Sequence, residues 1–250
     1  MQYGICPLSV IPIRETADDA GEMTSQLLYG EHFKILEQRK FWSRIRLAFD
    51  NFEGWVSNGQ ISIIEAEDYQ DIINSKNVSY ANDLISFVSG DAGVLLPIVL
   101  GSSVQPIKAL PHIFEGESFS IKSKKPSLLE TALLYLNAPV LSGGRTPFGI
   151  DSSGFTQMVY KINGYFLKRK AFEQSTQGDA LSFIEESEPG DLAFFDNSDD
   201  IIDHVGIIMK DNYIIHGFEK VRIDRLDHTG IFNVETRHYT HALRVIKKII

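Results

Sequence analysis

The chain has 250 residues, a formal net charge of −9 and 43% hydrophobic residues, which is enough apolar material for one large domain or several small ones. The acidic balance and the lack of a basic stripe argue against nucleic acid and against an anionic membrane surface as partners. The longest strongly apolar stretch, Val94 to Leu100, is far shorter than the ~18 residues of a membrane span. We therefore expect no nucleic-acid partner and no membrane partner.

The N-terminus, Met1 to Ile5, carries neither a basic segment nor a long apolar core. It lacks the pattern of a secretory signal, and it predicts a cytoplasmic protein. Cys6 is the one cysteine of the sequence, so no intrachain disulfide can form. We expect its thiol to be packed in the first strand rather than reactive, as is usual for a free cysteine in a small core.

Residues 1–65 predict a small all-β unit. Short apolar runs at Ser9–Ile13 and Phe33–Leu36 are separated by closely spaced turn residues. Trp42 and Trp55 mark the region, and we interpret both as structural because buried aromatic side chains dominate small cores. The segments Tyr-Gly-Glu, Trp-Ser-Arg-Ile and Gly-Trp-Val, in that order, resemble the bacterial SH3-like barrel, a small closed sheet.

The region between this unit and residue 126 divides into three parts. Residues 65–77 are polar and acidic. Residues 78–121 are β-like, with strands predicted at Leu84–Val88 and Leu95–Leu100, and they predict a second SH3-like unit. Residues 122–126, Lys-Ser-Lys-Lys-Pro, are typical of a linker.

Residues 126–250 predict a domain in which helices come first and strands dominate afterwards. A helix is predicted from Ser127 to about Leu136. A second helix begins near Ser152, carries apolar residues on one face and ends at Asn163. This order is typical of the α+β class. The strands that follow are predicted at Leu192–Phe195, His204–Met209, Tyr213–His216, Val221–Ile223 and Leu243–Ile249.

The candidate chemistry rests on Ser152, His204 and His216. Ser152 lies at a predicted helix N-terminus, whose partial positive charge stabilises a thiolate or a developing oxyanion. A three-residue turn at 210–212 would place Gly206 opposite His216, and His204 would then point to the same face one diagonal away. The three positions follow the order of a nucleophile, a base and an orienting group in a catalytic triad.

Four segments also carry a family resemblance. They read Asp-Ser-Ser-Gly-Phe from Asp151, Glu-Pro-Gly-Asp-Leu from Glu188, His-Val-Gly-Ile from His204 and Ile-Ile-His ending at His216. Together with the SH3-like start they resemble the NlpC family of cell-wall cysteine peptidases, most closely the γ-D-glutamyl-L-diamino acid endopeptidases. The resemblance implies a papain-like fold, a cysteine–histidine–polar triad, no metal, no cofactor, and a murein-derived or other small peptide as ligand.

The sequence departs from the family pattern at the site positions. By position, Ser152 takes the nucleophile slot that the family fills with cysteine, His204 takes that of the base and His216 that of the orienting residue. Lys170 stands where the family often has an acid that holds the free amino group of the substrate. The resemblance implies an altered substrate-binding set that consists of Phe52, Val140, Ser142, Asp151, Ser153 and Lys170.

These changes predict a catalytically impaired or inactive homologue that is retained to bind a peptide or a protein partner, because a serine hydroxyl does not ionise as a thiol does. Two alternatives stay open. The first is an active murein-peptide hydrolase, either serine-dependent or a cysteine enzyme in which cysteine was exchanged for serine to trap a complex. The second is a structural protein in which the interface between the barrels and the C-terminal domain is the functional surface.

Histidines outside the motifs are expected to be structural, because a lone histidine is more often a satisfied core or surface residue than a ligand. A zinc site built from Asp203, His204 and His216 has no motif support, so no metal is expected. The histidines assigned a structural role are His32, His112, His228, His238 and His241.

Overall fold

The computed structural model describes residues 1–75, 77–90, 93–120 and 127–250. The predicted linker at 122–126 lies outside the described residues. The described chain forms two compact units. The first holds the residues up to 120 together with 142–146, and the second holds 127–141 together with 147–250. Within the described ranges no helix has the length and apolar character that crossing a membrane requires.

The first unit begins with a sheet of antiparallel strands, in agreement with the all-β prediction for residues 1–65. Its strands are β1 (Gln2–Ile5), β2 (Val10–Arg14), β3 (Met23–Leu28), β4 (His32–Gln38), β5 (Trp42–Leu47), β6 (Glu53–Ser57) and β7 (Ser62–Ile64). Hydrogen bonding orders them β3-β2-β6-β5-β4-β1-β7. Alternate residues of β5 are buried, as expected where one face of a sheet covers a core.

The predicted roles of Trp55 and Cys6 can be compared with the structure. Trp55 is buried in β6, and the Arg39 guanidinium lies 4.2 Å from its ring centroid, which fits a structural role. Cys6 directly follows β1 rather than lying within it. Its side chain is fully buried, and burial raises the pKa of the thiol well above its usual value, so the thiol is inert.

The rest of the first unit packs on the same sheet. The acidic segment after residue 65 forms helix α1, which buries Tyr69 and Ile72 on one face. These residues share a core cluster with Ile5 of β1 and with Val88 and Ile98 of the second β region. Whether that region is a second SH3-like barrel stays a prediction. Its elements are α1 (Ala66–Asn74), β8 (Ser79–Ala81), β9 (Ile85–Ser89), β10 (Leu95–Val99), β11 (Ile113–Glu115) and β12 (Ser118–Ser120).

The second unit has the predicted α+β order, with helices ahead of an antiparallel sheet. Its helices are α2 (Ser127–Leu133), α3 (Ser152–Ile162) and α4 (Ala171–Gln174). Two short strands, β13 (Arg145–Thr146) and β14 (Gly149–Ile150), precede α3, and β13 falls in the segment that packs with the first unit. The strands after α4 are β15 (Asp179–Leu181), β16 (Leu192–Asp196), β17 (Ile202–Ile208), β18 (Tyr213–Phe218), β19 (Lys220–Leu226), β20 (Gly230–Asn233) and β21 (His238–Lys248).

Of the two helices predicted for this unit, one has the predicted bounds and the other ends earlier. Helix α3 agrees with the prediction, and it is enclosed, since every residue from Ser152 to Ile162 is buried. The α-helical part of α2 ends at Leu133, three residues earlier than predicted. Hydrogen bonds between residues three apart continue the turns through Leu136, and Asn137 then adopts a left-handed conformation with φ of 68°.

The sheet of the second unit has the order β15-β21-β16-β17-β18-β19-β20, and β21 also pairs with β20. The last strand therefore contacts β16 on one side and β20 on the other, so the strands β16 to β20 form a closed ring together with β21. Helix α3 packs on β17 and β18. The candidate site lies where the start of α3 meets these strands.

Candidate functional site

Ser152 is the first residue of α3 and is 9% exposed. The residue before it, Asp151, caps the helix by accepting a hydrogen bond from Gly154 N at 2.6 Å. A Cβ atom on Gly217 of β18 would lie 3.5 Å from Ser152 Cα, so the strand runs directly against the helix start. Within the described residues, the Ser152 hydroxyl forms no hydrogen bond.

The two predicted histidines meet as the hairpin register requires. Gly206 pairs with His216 across β17 and β18, and the turn between the strands consists of Lys210–Asn212. His204 Nε2 lies 2.9 Å from His216 Nδ1, in hydrogen-bond contact. A Cβ on Gly206 would lie 2.9 Å from His216 Cβ, closer than real Cβ atoms approach, so this glycine makes room for the pair. The predicted register and shared face are confirmed.

A buried carboxylate stands behind His216, and sequence reasoning missed it. His216 Nε2 lies 3.2 Å from Asp224 Oδ2, and Arg222 Nε donates to the same oxygen at 2.7 Å. Arg222 also donates to Asn233 Oδ1 at 3.2 Å. The one available signal was an acidic residue in a predicted strand region, between Ile223 and Arg225, which cannot reveal its partner. The structure adds Asp224 to the end of a chain that runs from His204 through His216.

This series of hydrogen bonds shows which ring nitrogens of His204 and His216 carry a proton. A carboxylate only accepts hydrogen bonds, so His216 Nε2 carries a proton and donates to Asp224. His216 Nδ1 then accepts from His204 Nε2, which leaves the lone pair of the His204 ring on Nδ1. Within the described residues no hydrogen bond engages that Nδ1 atom. The arrangement is therefore that of a neutral imidazole with one available basic nitrogen.

A third histidine joins the pair. The His241 ring, on β21, stacks on the His204 ring with centroids 4.0 Å apart and an angle of 22° between the planes. One ring nitrogen each from His204, His216 and His241 lie within 4.8 Å of one another. Sequence reasoning had assigned His241 a structural role outside the site. It could not foresee this position, because only the pairing of β21 with β16 brings His241 beside His204.

The electrostatics of the cluster favour neutral rings. Burial, together with His241 and His216, holds the pKa of His204 well below its usual 6.5. Burial also lowers the pKa of His216, and Asp224 offsets part of that shift. Burial and the neighbouring His216 lower the pKa of His241 to about 4. At neutral pH all three imidazoles are therefore uncharged.

The N-terminus of α3 is held by a second polar network. Arg169 is almost fully buried, and its guanidinium forms two hydrogen bonds with the Asp151 carboxylate, at 2.9 and 2.6 Å. The same guanidinium donates to Ser153 Oγ at 3.1 Å, and Gln174 Nε2 donates to Ser153 O at 2.9 Å. Asp151 and Ser153 thus bond to the protein itself, and their role in substrate binding stays a prediction.

The other predicted binding residues are spread over both units. Val140 is 39% exposed in the second unit, and its Cγ2 lies 3.7 Å from the position that a Cβ on Gly217 would take. Lys170 is half-buried and precedes α4. Phe52 packs on the core of the first unit, and Ser142 is an exposed residue of the segment that belongs to that unit. Their roles in binding stay predictions.

The three residues of the zinc site considered from the sequence do not all come together in the structure. Asp203 is exposed and accepts a hydrogen bond from Asn197 Nδ2 at 3.0 Å. Because side chains alternate along β17, Asp203 points to the face opposite to that of its neighbour His204. The residues that the structure groups are His204, His216 and His241, so His241 takes the place that Asp203 held in that hypothesis.

Two family models match the chain. Residues 138–243 match the NlpC/P60 family, and residues 13–61 match the bacterial dipeptidyl-peptidase Sh3 domain. The first match contains Ser152 and all three clustered histidines. The second covers most of the first sheet.

Similar proteins cover most of the chain. A Bacillus cereus protein named gamma-D-glutamyl-L-lysine dipeptidyl-peptidase is 35% identical over 79% of this chain and 68% of its own. A Bacillus subtilis protein of the same name is 22% identical over 77% of this chain and 71% of its own. A crystal structure described as a Bacillus cereus NlpC/P60 family protein covers 99% of both chains at 16% identity with a TM-score of 0.83, which shows the fold.

Proposed function

Because the chain belongs to the NlpC/P60 family of cell-wall peptidases, we propose that it is a catalytically impaired or inactive member, retained to bind a murein-derived peptide. The observation that carries the proposal is Ser152, which occupies the helix start where the resemblance places a cysteine nucleophile. The surrounding framework supports a binding role. The helix cap at Asp151 and the pair of His204 and His216 are retained, so the site is an ordered one.

His204 is a poor base for a serine. Attack by a hydroxyl requires His204 to take the proton and to become an imidazolium as the new bond forms. The environment that lowers the pKa of His204 destabilises that imidazolium. Each unit by which the pKa of the base falls weakens proton transfer by at most about tenfold. Within the described residues no hydrogen bond joins Ser152 to His204, so the contact that starts the proton transfer is absent there.

One observation favours a second candidate, an active serine-dependent murein-peptide hydrolase. The Asp224 carboxylate hydrogen-bonds His216, which in turn hydrogen-bonds His204. Serine hydrolases use a buried carboxylate to orient a histidine and to stabilise its charged form. Here an imidazole stands between the carboxylate and the candidate base. The support that Asp224 gives to His204 is therefore indirect.

Three versions of position 152 separate the two candidates. The unmodified protein, Ser152→Ala and Ser152→Cys are incubated with an L-Ala-γ-D-Glu-L-Lys peptide, and cleavage is followed by mass spectrometry. We expect the unmodified protein and Ser152→Ala to release product at the same background rate. A rate for the unmodified protein at least tenfold above that of Ser152→Ala would contradict the proposal and support the hydrolase. Hydrolysis by Ser152→Cys alone would assign the loss of activity to the nucleophile.

The ligand preference is tested separately at Lys170. An ammonium in place of an acid repels the free amino group of a peptide, so we expect N-acetylated peptides to bind better than peptides with a free amine. Calorimetry on Ser152→Cys, with and without Lys170→Asp, measures both affinities, and Lys168→Asp in the same loop is the control. We expect Lys170→Asp to reverse the preference. Micromolar binding of the free-amine peptide to Ser152→Cys with Lys170 intact would contradict this assignment.

A further inference from the structure

The cluster of His204, His216 and His241 has a composition that a catalytic pair does not need. A base and its orienting residue account for His204 and His216, and the stacked His241 is left without a role in that scheme. One nitrogen of each ring lies within 4.8 Å of the others, and His204 and His216 are fully or almost fully buried. Three imidazoles are the protein ligands of one kind of open tetrahedral zinc site, and here three ring nitrogens lie within reach of one another.

We propose that His204, His216 and His241 bind a divalent transition metal of the zinc class through one ring nitrogen each. Imidazole nitrogen suits zinc, copper, nickel and cobalt, whereas magnesium and calcium require oxygen ligands. The site does not depend on whether the protein hydrolyses peptides. It therefore goes beyond the proposed binding function and would add a ligand of a different class.

The second layer of contacts fits a metal site. A metal-bound histidine usually donates its other ring proton to a carboxylate, a carbonyl or water, which fixes the orientation of the ring. His216 Nε2 faces Asp224 at 3.2 Å, and Asp224 is itself held by Arg222. On His241, Nδ1 lies 2.8 Å from Thr240 Oγ1, which leaves Nε2 for a metal. Two of the three ligands thus have a partner on the nitrogen that the metal does not use.

The tautomer of His216 suits metal binding. Imidazole binds metal through a ring nitrogen that carries no proton. His216 Nε2 donates to Asp224, so the lone pair of that ring lies on Nδ1, the atom that faces His204. The charged groups beside His216 are the Asp224 carboxylate and the Arg222 guanidinium that pairs with it.

Metal entry requires a small rearrangement. With Zn–N bonds of ~2.0–2.1 Å, the nitrogens of a tetrahedral site are about 3.3 Å apart. The His204–His216 contact of 2.9 Å must lengthen slightly, with its shared proton moving to the other nitrogen of the His204 ring, while His241 moves inward. His241 is only half-buried on β21, so it can adjust. The one hydrogen bond lost is a small cost compared with the coordination by three imidazoles that we expect.

The test is a zinc titration of the full chain without an affinity tag. Calorimetry with ZnCl₂ at pH 7.5 is expected to show one equivalent bound with a micromolar or lower Kd, and MgCl₂ is expected to give no binding. Co²⁺ reports the geometry, because a tetrahedral site gives strong visible absorption. His241→Gln is expected to weaken zinc binding at least tenfold. The exposed His238, on the same strand, provides the matched control as His238→Gln, which should bind like the unmodified protein.

A second readout guards against loss of folding in the variants. Zinc is expected to raise the Tm of the unmodified protein and of His238→Gln, and to raise the Tm of His241→Gln less at the same zinc concentration. Asp224→Asn should weaken binding about 10–100-fold by removing the carboxylate behind His216. Failure of the unmodified protein to bind zinc, or equal binding by His241→Gln, would overturn the proposal. Since no peptide is present, that outcome would leave the proposed peptide-binding function standing.

Discussion

The network around Asp151 and the cluster around His204 both consist of buried polar side chains in the second unit, but they are satisfied in different ways. Asp151 and Arg169 have opposite charges and share two hydrogen bonds, and Ser153 and Gln174 supply further partners. The histidine cluster holds rings of one type, kept neutral by burial. The first arrangement fixes the start of α3, whereas the second remains sensitive to protons, to steric pressure and to metal.

Acid should break the histidine cluster first and with the largest effect. In the unfolded chain histidines protonate near pH 6.5, but in the folded protein their pKa values lie lower, so the unfolded state binds more protons below pH 6.5. Stability is therefore complete above about pH 6.5 and is lost as the pH falls toward about 4. The slope is about 1.4 kcal/mol per pH unit for each histidine, at most about 4 for three.

Urea unfolding between pH 7.5 and 5.5 measures this slope. Far-UV circular dichroism is the suitable signal, because both tryptophans, Trp42 and Trp55, belong to the first unit. His241→Gln should reduce the slope by about one histidine's share, and the exposed His238→Gln should leave it unchanged. A slope that His241→Gln does not reduce would contradict the assignment of the acid sensitivity to the cluster.

Removing one partner should break the Asp151 network next. Arg169→Met leaves the Asp151 carboxylate at the helix start without its guanidinium, and we expect a loss of about 3 kcal/mol in the free energy of unfolding. Lys248→Met is the control, because its ion pair with Glu188 is exposed and should contribute less than about 1 kcal/mol. Urea unfolding at pH 7.5 compares the two variants. Equal losses would show that burial of the Asp151 pair adds nothing.

The smallest expected losses of stability come from substitutions at two glycines beside His216. A Cβ on Gly206 would lie 2.7 Å from Ile214 Cδ1 and 2.9 Å from His216 Cβ, so Gly206→Ala should cost roughly 1–3 kcal/mol. A Cβ on Gly217 would lie 3.5 Å from Ser152 Cα, at ordinary contact distance, so Gly217→Ala should stay within about 0.5 kcal/mol. Thermal unfolding of the two variants gives the difference. A larger loss for Gly217→Ala would refute this account of the packing.

Much of the second unit could be predicted because its signals are local. Helix α3 follows from apolar residues three and four apart that end at Asn163, and both are properties of neighbouring residues. The pairing of Gly206 with His216 follows from the turn length and from the period of two in a strand. The end of α2 was less predictable, because its last turns change from four-residue to three-residue hydrogen bonds without a clear sequence signal.

The amino-acid sequence by itself predicted the helix start at Ser152, the contact of His204 with His216 and the family, since these depend on residue identity and short-range spacing. Only the tertiary structure decided that Asp224 stands behind His216 and that His241 stacks on His204. The physical reason is that both contacts arise between strands whose order in the sheet is set by packing of the whole unit. Residue spacing along the chain carries no record of which distant strand becomes a neighbour.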